Sequence, residues 1–299
     1  MDYALVQAAN GLVLGIIFAV IAVGLTLVFA VLKIVNFAHG ELYMMGGYFA
    51  YYAIELLGLS PFPALAAAIA ASFLLAALLE RTLLTPLYSE TTERKPEYGI
   101  LITFGLSVAL RNLALIVFGP FPLRPPSFVA GVQQWGPLIL TNDRLVAGGV
   151  GLLVLMAVVY IMSRTAAGHA LDAVSQSRES AAIVGIDPRL AYTLGFGLGG
   201  ALAGAAGALM GPIFSLSPSM GILPDTQAFV IVILGGMGSV PGSIVAGILI
   251  GLLESLFTAF FPDPTRALSY SNAFGVLILM VILILRPTGL LGRRHMQME

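Results

Sequence analysis

Three side chains able to carry partial charge or a proton stand within six residues of one another: Asn36, His39 and Glu41, in the stretch "NFAHGELYMMGGYFAYY". An amide, an imidazole and a carboxylate could hold a small polar solute, relay a proton or ligate a metal. Spacing argues against joint proton or metal work, because His39 and Glu41 are two residues apart and do not share a helical face. Two more charges stand inside apolar runs, Arg111 and Glu254. Each lies about two turns from a helix end at 3.6 residues per turn, and an ion pair between them is the expectation. Catalytic signatures are missing. The chain has three histidines and no cysteine, with no H-E-x-x-H, no G-x-S-x-G and no G-x-x-x-x-G-K-[ST]. No cofactor and no metal are expected from these residues, and a protease is the rejected reading.

The elements that must position these groups are membrane helices. The chain has 299 residues, of which 59% are hydrophobic and 10% charged, with a mean hydropathy of +0.98. Such apolar density is that of a polytopic helical membrane protein. A β-barrel would show short alternating segments, and these runs do not alternate. The net charge of −1 gives no basic patch for nucleic acid. The N-terminal "MDYALVQAAN" has no basic region or cleavage site, so its apolar run is expected to be retained. Expected spans cover 11–31, 40–57, 63–84, 99–118, 145–162, 190–214, 226–260 and 272–285, eight in all. The seventh is interrupted by "GGMGSVPG" at Gly235, Gly236, Gly238 and Gly242. The fold expectation is all-α, one transmembrane domain over 1–299.

Lys and Arg set the orientation. With the loops around 90–96 and 164–189 and the tail after 286 in the cytoplasm, Lys33, Arg81, Arg94, Lys95, Arg164, Arg178, Arg189, Arg286, Arg293 and Arg294 lie inside. Arg124, Arg144 and Arg266 lie outside, and Arg111 sits within a span. The positive-inside rule then puts the N-terminus outside and the C-terminus inside. It also makes 226–260 start and end on the outer side, as a short half-helix, a glycine turn and a longer returning helix. The Pro-rich "GPFPLRPPSFVAGVQQWGPLIL" becomes an outer cap, with Trp135 at headgroup level.

Small residues recur four apart in "GFGLGGALAGAAGALMG": Gly195 and Gly199, Gly200 and Gly204, Ala203 and Gly207. Such faces let helix backbones approach closely in lipid, so packing within the chain is expected. The same holds for Gly242, Ala246 and Ile250. Between the fifth and sixth spans, Ala170, Val174, Ser177, Ala181 and Val184 form a small helical stripe. Gly185 is placed to end that helix, and Asp187-Pro188 to start the next, as N-cap and first helical residue. One short helix across the cytoplasmic face follows.

That segment, about 166–189, resembles the coupling segment of ABC importer permeases. Its form "AVSQSRESAAIVGIDPRLAYTLGFGLGGALAGAAG" is similar to the permease subunits of branched-chain amino acid importers. "LKIVNFAHGELYMMGGY", "YGILITFGLSVALRNLALIVFG" and "VILGGMGSVPGSIVAGILIGLLE" resemble the same family, in the family's order. Arg111 departs from the pattern where an uncharged polar residue is usual, and His169 and Asp172 stand where basic residues are usual. The resemblance implies a second, homologous permease, two cytoplasmic ATP-binding subunits and an external solute-binding protein, all assembled in a prokaryotic inner membrane. It also implies that Ser177 to Ile186, with Arg178, Glu179, Ala182 and Gly185, seat in an ATPase groove.

On this reading Asn36, His39, Glu41, Arg111 and Glu254 belong to the route, with Gly40, Gly235, Gly236, Gly238 and Gly242 at the breaks. Polar side chains kept in a membrane face the bundle interior or water. The two glycine-rich interruptions, at Gly40 and in "GGMGSVPG", then look like corresponding parts of an internal repeat. The plainer alternative is that Asn36 and His39 cap a helix start while Glu41 pairs with Lys33. A passive channel for a small neutral solute is the rival function. "NFA" resembles the Asn-Pro-Ala half-helix starts of aquaporin-like channels, without the proline, and the second break has no Asn.

Overall fold

The computed structural model describes residues 2–88, 94–136, 138–261 and 264–292. The remainder of the 90–96 loop and Arg293 and Arg294 of the tail lie outside these residues. Eleven α-helices follow in chain order among the described residues. They are α1 (Asp2–Leu32), α2 (His39–Leu57), α3 (Pro61–Leu79), α4 (Lys95–Phe118), α5 (Asn142–Arg164), α6 (Ala166–Gln176), α7 (Arg178–Ile183), α8 (Pro188–Phe214), α9 (Ile222–Gly235), α10 (Val240–Phe260) and α11 (Pro264–Leu285). Six helical stretches are long and apolar enough to cross a membrane: Ala4–Leu32, Pro61–Leu84, Lys95–Phe118, Asn142–Arg164, Pro188–Phe214 and Val240–Phe260. The bundle is therefore all-α and polytopic; six of the eight expected spans fall on these stretches, and 40–57 and 272–285 fall instead on α2 and α11. The seventh expected span divides into α9 and the longer α10. A small addition is an antiparallel hairpin, β1 (Val132–Trp135) and β2 (Leu138–Thr141), in the Pro-rich segment expected to be an extended cap. Gly136 supplies the positive φ of its turn.

The hairpin marks one end of the bundle, and α6 and α7 mark the other. α1, α3, α5, α9 and α11 run from the hairpin end toward the α6–α7 end, and α2, α4, α8 and α10 run back. α1 and α8 both end in a non-glycine residue in the left-handed region, Lys33 at φ 56° and Ser215 at φ 64°. Each reversal sends the chain back into the bundle before the next helix begins. Residues 33–38 climb along α4: a methyl of Ile34 faces Gly99, Thr103 Oγ1 donates to Val35 O, and Phe37 N donates to Thr103 Oγ1. α2 therefore starts deep in the bundle, beside Ile21 and Gly24 of α1. From the opposite end, 215–221 descends to start α9, with Leu216 bridged to Leu123 on the way.

These reversals belong to two copies of one four-helix arrangement in opposite directions, α1–α4 and α8–α11. α1 packs on α10 as α8 packs on α3, and α2 packs on α8 as α9 packs on α1. α2 meets α3 and α4 as α9 meets α10 and α11. The true counterpart of the break before Gly40 is thus 215–221. "GGMGSVPG" is the tight turn between α9 and α10, equivalent to the α2–α3 turn at Gly58. Glycines cluster in that turn, whereas 215–221 carries one, Gly221, so the glycine pattern points to the wrong counterpart.

Apolar surface in lipid gives no hydrophobic drive between helices, so close backbone approach holds the bundle. A Cβ on Gly46 would run into Gly204, one on Gly207 into the Tyr43 carbonyl, and one on Gly199 would come within 2.9 Å of the Gly24 carbonyl. On the other side, Gly247 and Gly251 of α10 lie against Ala19 and Gly15 of α1. The small-residue stripe of α8 therefore does pack within the chain, against α1, α2 and α3 at once.

Candidate translocation site

The two deep helix starts meet. Gly40 and Gly221 touch so closely that a side chain on either would strike the other's backbone, and Phe37 packs on Phe229 with ring centroids 5.2 Å apart. Each start carries a carboxylate in its first turn, Glu41 on α2 and Asp225 on α9, where the exposed N–H groups of the helix favour negative charge. Asp225 crosses between the halves: its Oδ1 accepts from Gly40 N at 3.0 Å. Glu41 Oε1 accepts from Arg111 Nη2 of α4 at 2.5 Å. Glu41 is almost wholly buried, whereas the Arg111 side chain is 38% exposed and so opens this cluster to the outside of the chain. Two carboxyl groups and one guanidinium lie next to two sets of helix-start N–H donors. Such a site offers both signs of charge to a zwitterion.

Asn36 and His39 are fully buried at the same start. Asn36 Oδ1 accepts from Ala38 N at 3.0 Å, and its Nδ2 has no partner. His39 Nε2 lies 3.0 Å from the Ile21 carbonyl, so it donates there, and its buried Nδ1 is unpartnered. His39 points to α1 while Glu41 points to α4, as a two-residue spacing on a helix requires. Asn36 holds Ala38, the residue just before α2, and neither Asn36 nor His39 caps the first turn with its side chain. The expected alternative pairing of Glu41 with Lys33 does not form, because Arg111 takes the carboxylate. The expected Arg111–Glu254 ion pair does not form either. α4 packs on α2, while α10 packs on α1, α9 and α11. Glu254 instead accepts from Gln227 Nε2 of α9 at 2.7 Å.

Asp225 and Gln227 were not singled out from sequence. The signal was there in "GILPDTQ": a proline followed by an acid at a helix start, the same kind of first-turn acid as Glu41. The expected breaks lie at turns. Gly236 and Gly238 have φ of 99° and 86°. Gly235 and Gly242 close the turn backbone to backbone. Leu290 N and Leu291 N donate to the Leu234 and Gly235 carbonyls at 2.8 and 3.1 Å, so the chain after α11 supplies partners to the end of α9.

At the far end, the expected single helix is two. Ser177 is extended and caps α7 through Ser180 N at 3.2 Å, which breaks the stripe. Leu171, Val174 and Ala181 are buried against Val31, Ala191 and Tyr192, whereas Val184 is 74% exposed. Gly185, at φ 87°, ends the segment, and Asp187 caps α8 through Arg189 N at 2.9 Å, with Pro188 as its first residue. Glu179, Ala182 and Ile183 are exposed at this tip, and Arg178 and Ile186 flank it half-buried. The buried apolar residues fix the tip to the bundle, and its own apolar residues face outward.

Comparison with known proteins gives the family. The family model for the branched-chain amino acid transport system permease component matches residues 7–285. The chain is 32% identical to the high-affinity branched-chain amino acid transport system permease protein BraD of Pseudomonas aeruginosa, over 97% of this chain and 96% of that protein. It is 28% identical to LivH of Escherichia coli K12, over 99% and 97% of the two chains. A probable branched-chain amino acid transport permease protein LivH of Methanocaldococcus jannaschii is 27% identical, over 91% and 87%. The chain therefore belongs to the permease component family of branched-chain amino acid transport systems, and is a multi-pass membrane permease subunit of an ABC importer rather than an enzyme.

Proposed function

We propose that this chain, as one transmembrane domain, carries branched-chain or closely related amino acids inward across the inner membrane, driven by ATP hydrolysed on partner subunits. The observation that carries the reading is the exposed apolar tip of α7, Ala182, Ile183 and Val184, braced by a buried cluster. A passive channel has no use for such a tip. On this reading 166–189 is the coupling segment, with Ser177 to Ile186 seated in an ATPase, and the α6–α7 end and C-terminus are cytoplasmic. The partners are a second, homologous permease, two ATP-binding subunits and an external solute-binding protein. ATP closure shifts an equilibrium between two exposures of the route through differential contacts at the tip. The route passes the cluster of Asn36, His39, Glu41, Arg111 and Asp225, with Glu254 and Gln227 nearby and the Gly235–Gly242 turn as a flexing point. Two interrupted helices meeting deep in the bundle support that placement.

The test is co-purification from native membranes and uptake into vesicles, for wild type and for Glu179→Lys combined with Gly185→Leu. The expected result is an ATPase and a second permease with wild type, loss of the ATPase in the variant, and uptake that needs ATP and the binding protein. A variant that retains uptake without ATP would make the channel the better reading.

A further inference from the structure

A buried carboxylate remains that the route does not use. Glu80 is 1% exposed, yet it stands at the α6–α7 end, where α3 widens into a π-helical turn, Glu80–Leu84. π-turns inside helices lie frequently at functional sites. The Thr82 and Thr85 hydroxyls add to this bend by donating back to the Leu78 and Arg81 carbonyls. Both Glu80 oxygens are engaged: Tyr88 Oη donates to Oε1, and Thr193 Oγ1 of α8 donates to Oε2 at 2.7 Å. Burial, together with the Glu80 carboxylate, pushes the ionisation of the Tyr88 hydroxyl up and keeps it a donor. Tyr88 stacks on Tyr192 of α8, centroids 4.4 Å apart and planes 18° from parallel. Tyr192 in turn lies in the cluster that contains Ala181 of α7, with Arg178 of α7 close to its hydroxyl.

The contacts form an unbroken path from α7 through Tyr192 and Tyr88 to Glu80 in the wide turn of α3. We propose that Glu80 and Tyr88 are positioning residues for transport: they form the joint that makes the α3 end follow a displacement of α7. The proposal rests on the reading of α7 as the ATPase contact. Packing ties α7 to α8, and α8 to α3 at Ser72 and Ala76. The charge-assisted hydrogen bonds to Glu80 extend that tie past Ala76 to the end of α3, a helix that packs on α2 and hence on the deep helix start.

The test uses the whole importer in proteoliposomes. The chain has no cysteine, so with cysteine-free partner subunits the introduced cysteines are the spin-labelled positions. One pair, Gln176→Cys with Leu153→Cys, reads the α6–α7 end against α5. A second, Leu78→Cys with Leu153→Cys, reads the α3 end against α5. The expected result in the wild-type background is that both distances change when ATP is added. In Tyr88→Phe, which keeps the ring stack and removes the hydrogen bond, only the first changes. Solute moved per ATP hydrolysed then falls about tenfold, the coupling expected of one charge-assisted hydrogen bond. Thr193→Val cuts the link from the α8 side and is expected to act likewise. If both distances still change in both variants, or if uptake and hydrolysis fall in the same proportion, the joint is overturned while the docking reading stands. If the first distance is static in the wild-type background, the docking reading falls and the joint with it.

Discussion

Arg111 and Glu41 form an ion pair whose two members are unequally buried, and that inequality sets what each substitution does. Removing Arg111 leaves Glu41 buried with no counter-ion, so Arg111→Leu is expected to destabilise the chain by about 3 kcal/mol, toward the low end for a broken buried pair because Arg111 is partly exposed. Glu41→Leu combined with Arg111→Leu is expected to recover much of that loss. Arg111→Leu combined with Glu254→Gln is expected to be additive within roughly 0.5 kcal/mol, since the two groups have separate partners. Thermal unfolding of purified protein in detergent, run as two double-mutant cycles, checks both. An interaction energy between Arg111 and Glu254 as large as that between Arg111 and Glu41 would contradict the geometry. Asn36, His39, Glu41 and Arg111 could be picked out from sequence because a polar group in an apolar run is conspicuous. Their partners could not, since Asp225 and Glu41 are brought together only by the meeting of α2 and α9.

Helices α1, α2, α8 and α10 are held by absent side chains, which makes them sensitive to a single methyl. Gly46→Ala would force α2 off α8, because the new carbon falls on the Gly204 backbone, which cannot rotate away, and Gly204→Ala would press α8 off α3, because the new carbon falls on the Ser72 side chain. Each is expected to destabilise by about 1–3 kcal/mol, the usual cost of overpacking. Gly105→Ala is the control: its new carbon would have no neighbour within 4 Å. That substitution is expected to be neutral or slightly stabilising, by the higher helix propensity of alanine. Melting temperatures of the three variants decide it, and equal shifts would show that helix propensity, not contact, matters at Gly46 and Gly204. Most helix positions were readable in the sequence to within a few residues because long apolar runs admit one solution in lipid, whereas α1 and α11 begin well before the expected 11 and 272, at Asp2 and Pro264. The second deep start was not readable. Its reversal uses Ser215, and that of the first uses Lys33, so neither carries the glycine that normally flags a left-handed residue.

Over the whole molecule, the opposed halves give each end a distinct character that labelling can read. With the α6–α7 end cytoplasmic, Trp135→Cys at the hairpin is expected to react with an impermeant maleimide in intact spheroplasts. Ile183→Cys is expected to react only after the membrane is opened. The reverse pattern would invert the proposed orientation. Composition and family pattern established the class of the molecule from sequence, because both are spread over nearly the full chain. The antiparallel relation of its halves was not visible in the sequence, since it lies in helix direction and packing rather than in matching residues.

The meeting of α2 and α9, start to start, has an electrical consequence. Their backbone dipoles point in opposite directions along the bundle and largely cancel, while Glu41 and Asp225 answer the positive partial charge left between them. A membrane potential does work of about 2.3 kcal/mol per elementary charge per 100 mV on a charge that crosses it. It does almost none on two cancelling dipoles that rock together, and none on a zwitterion with no net charge. Uptake of a neutral amino acid is therefore expected to be nearly flat when a potassium diffusion potential is clamped across the vesicle. A steep voltage dependence would mean that one of the buried charges, rather than the solute alone, travels through the field.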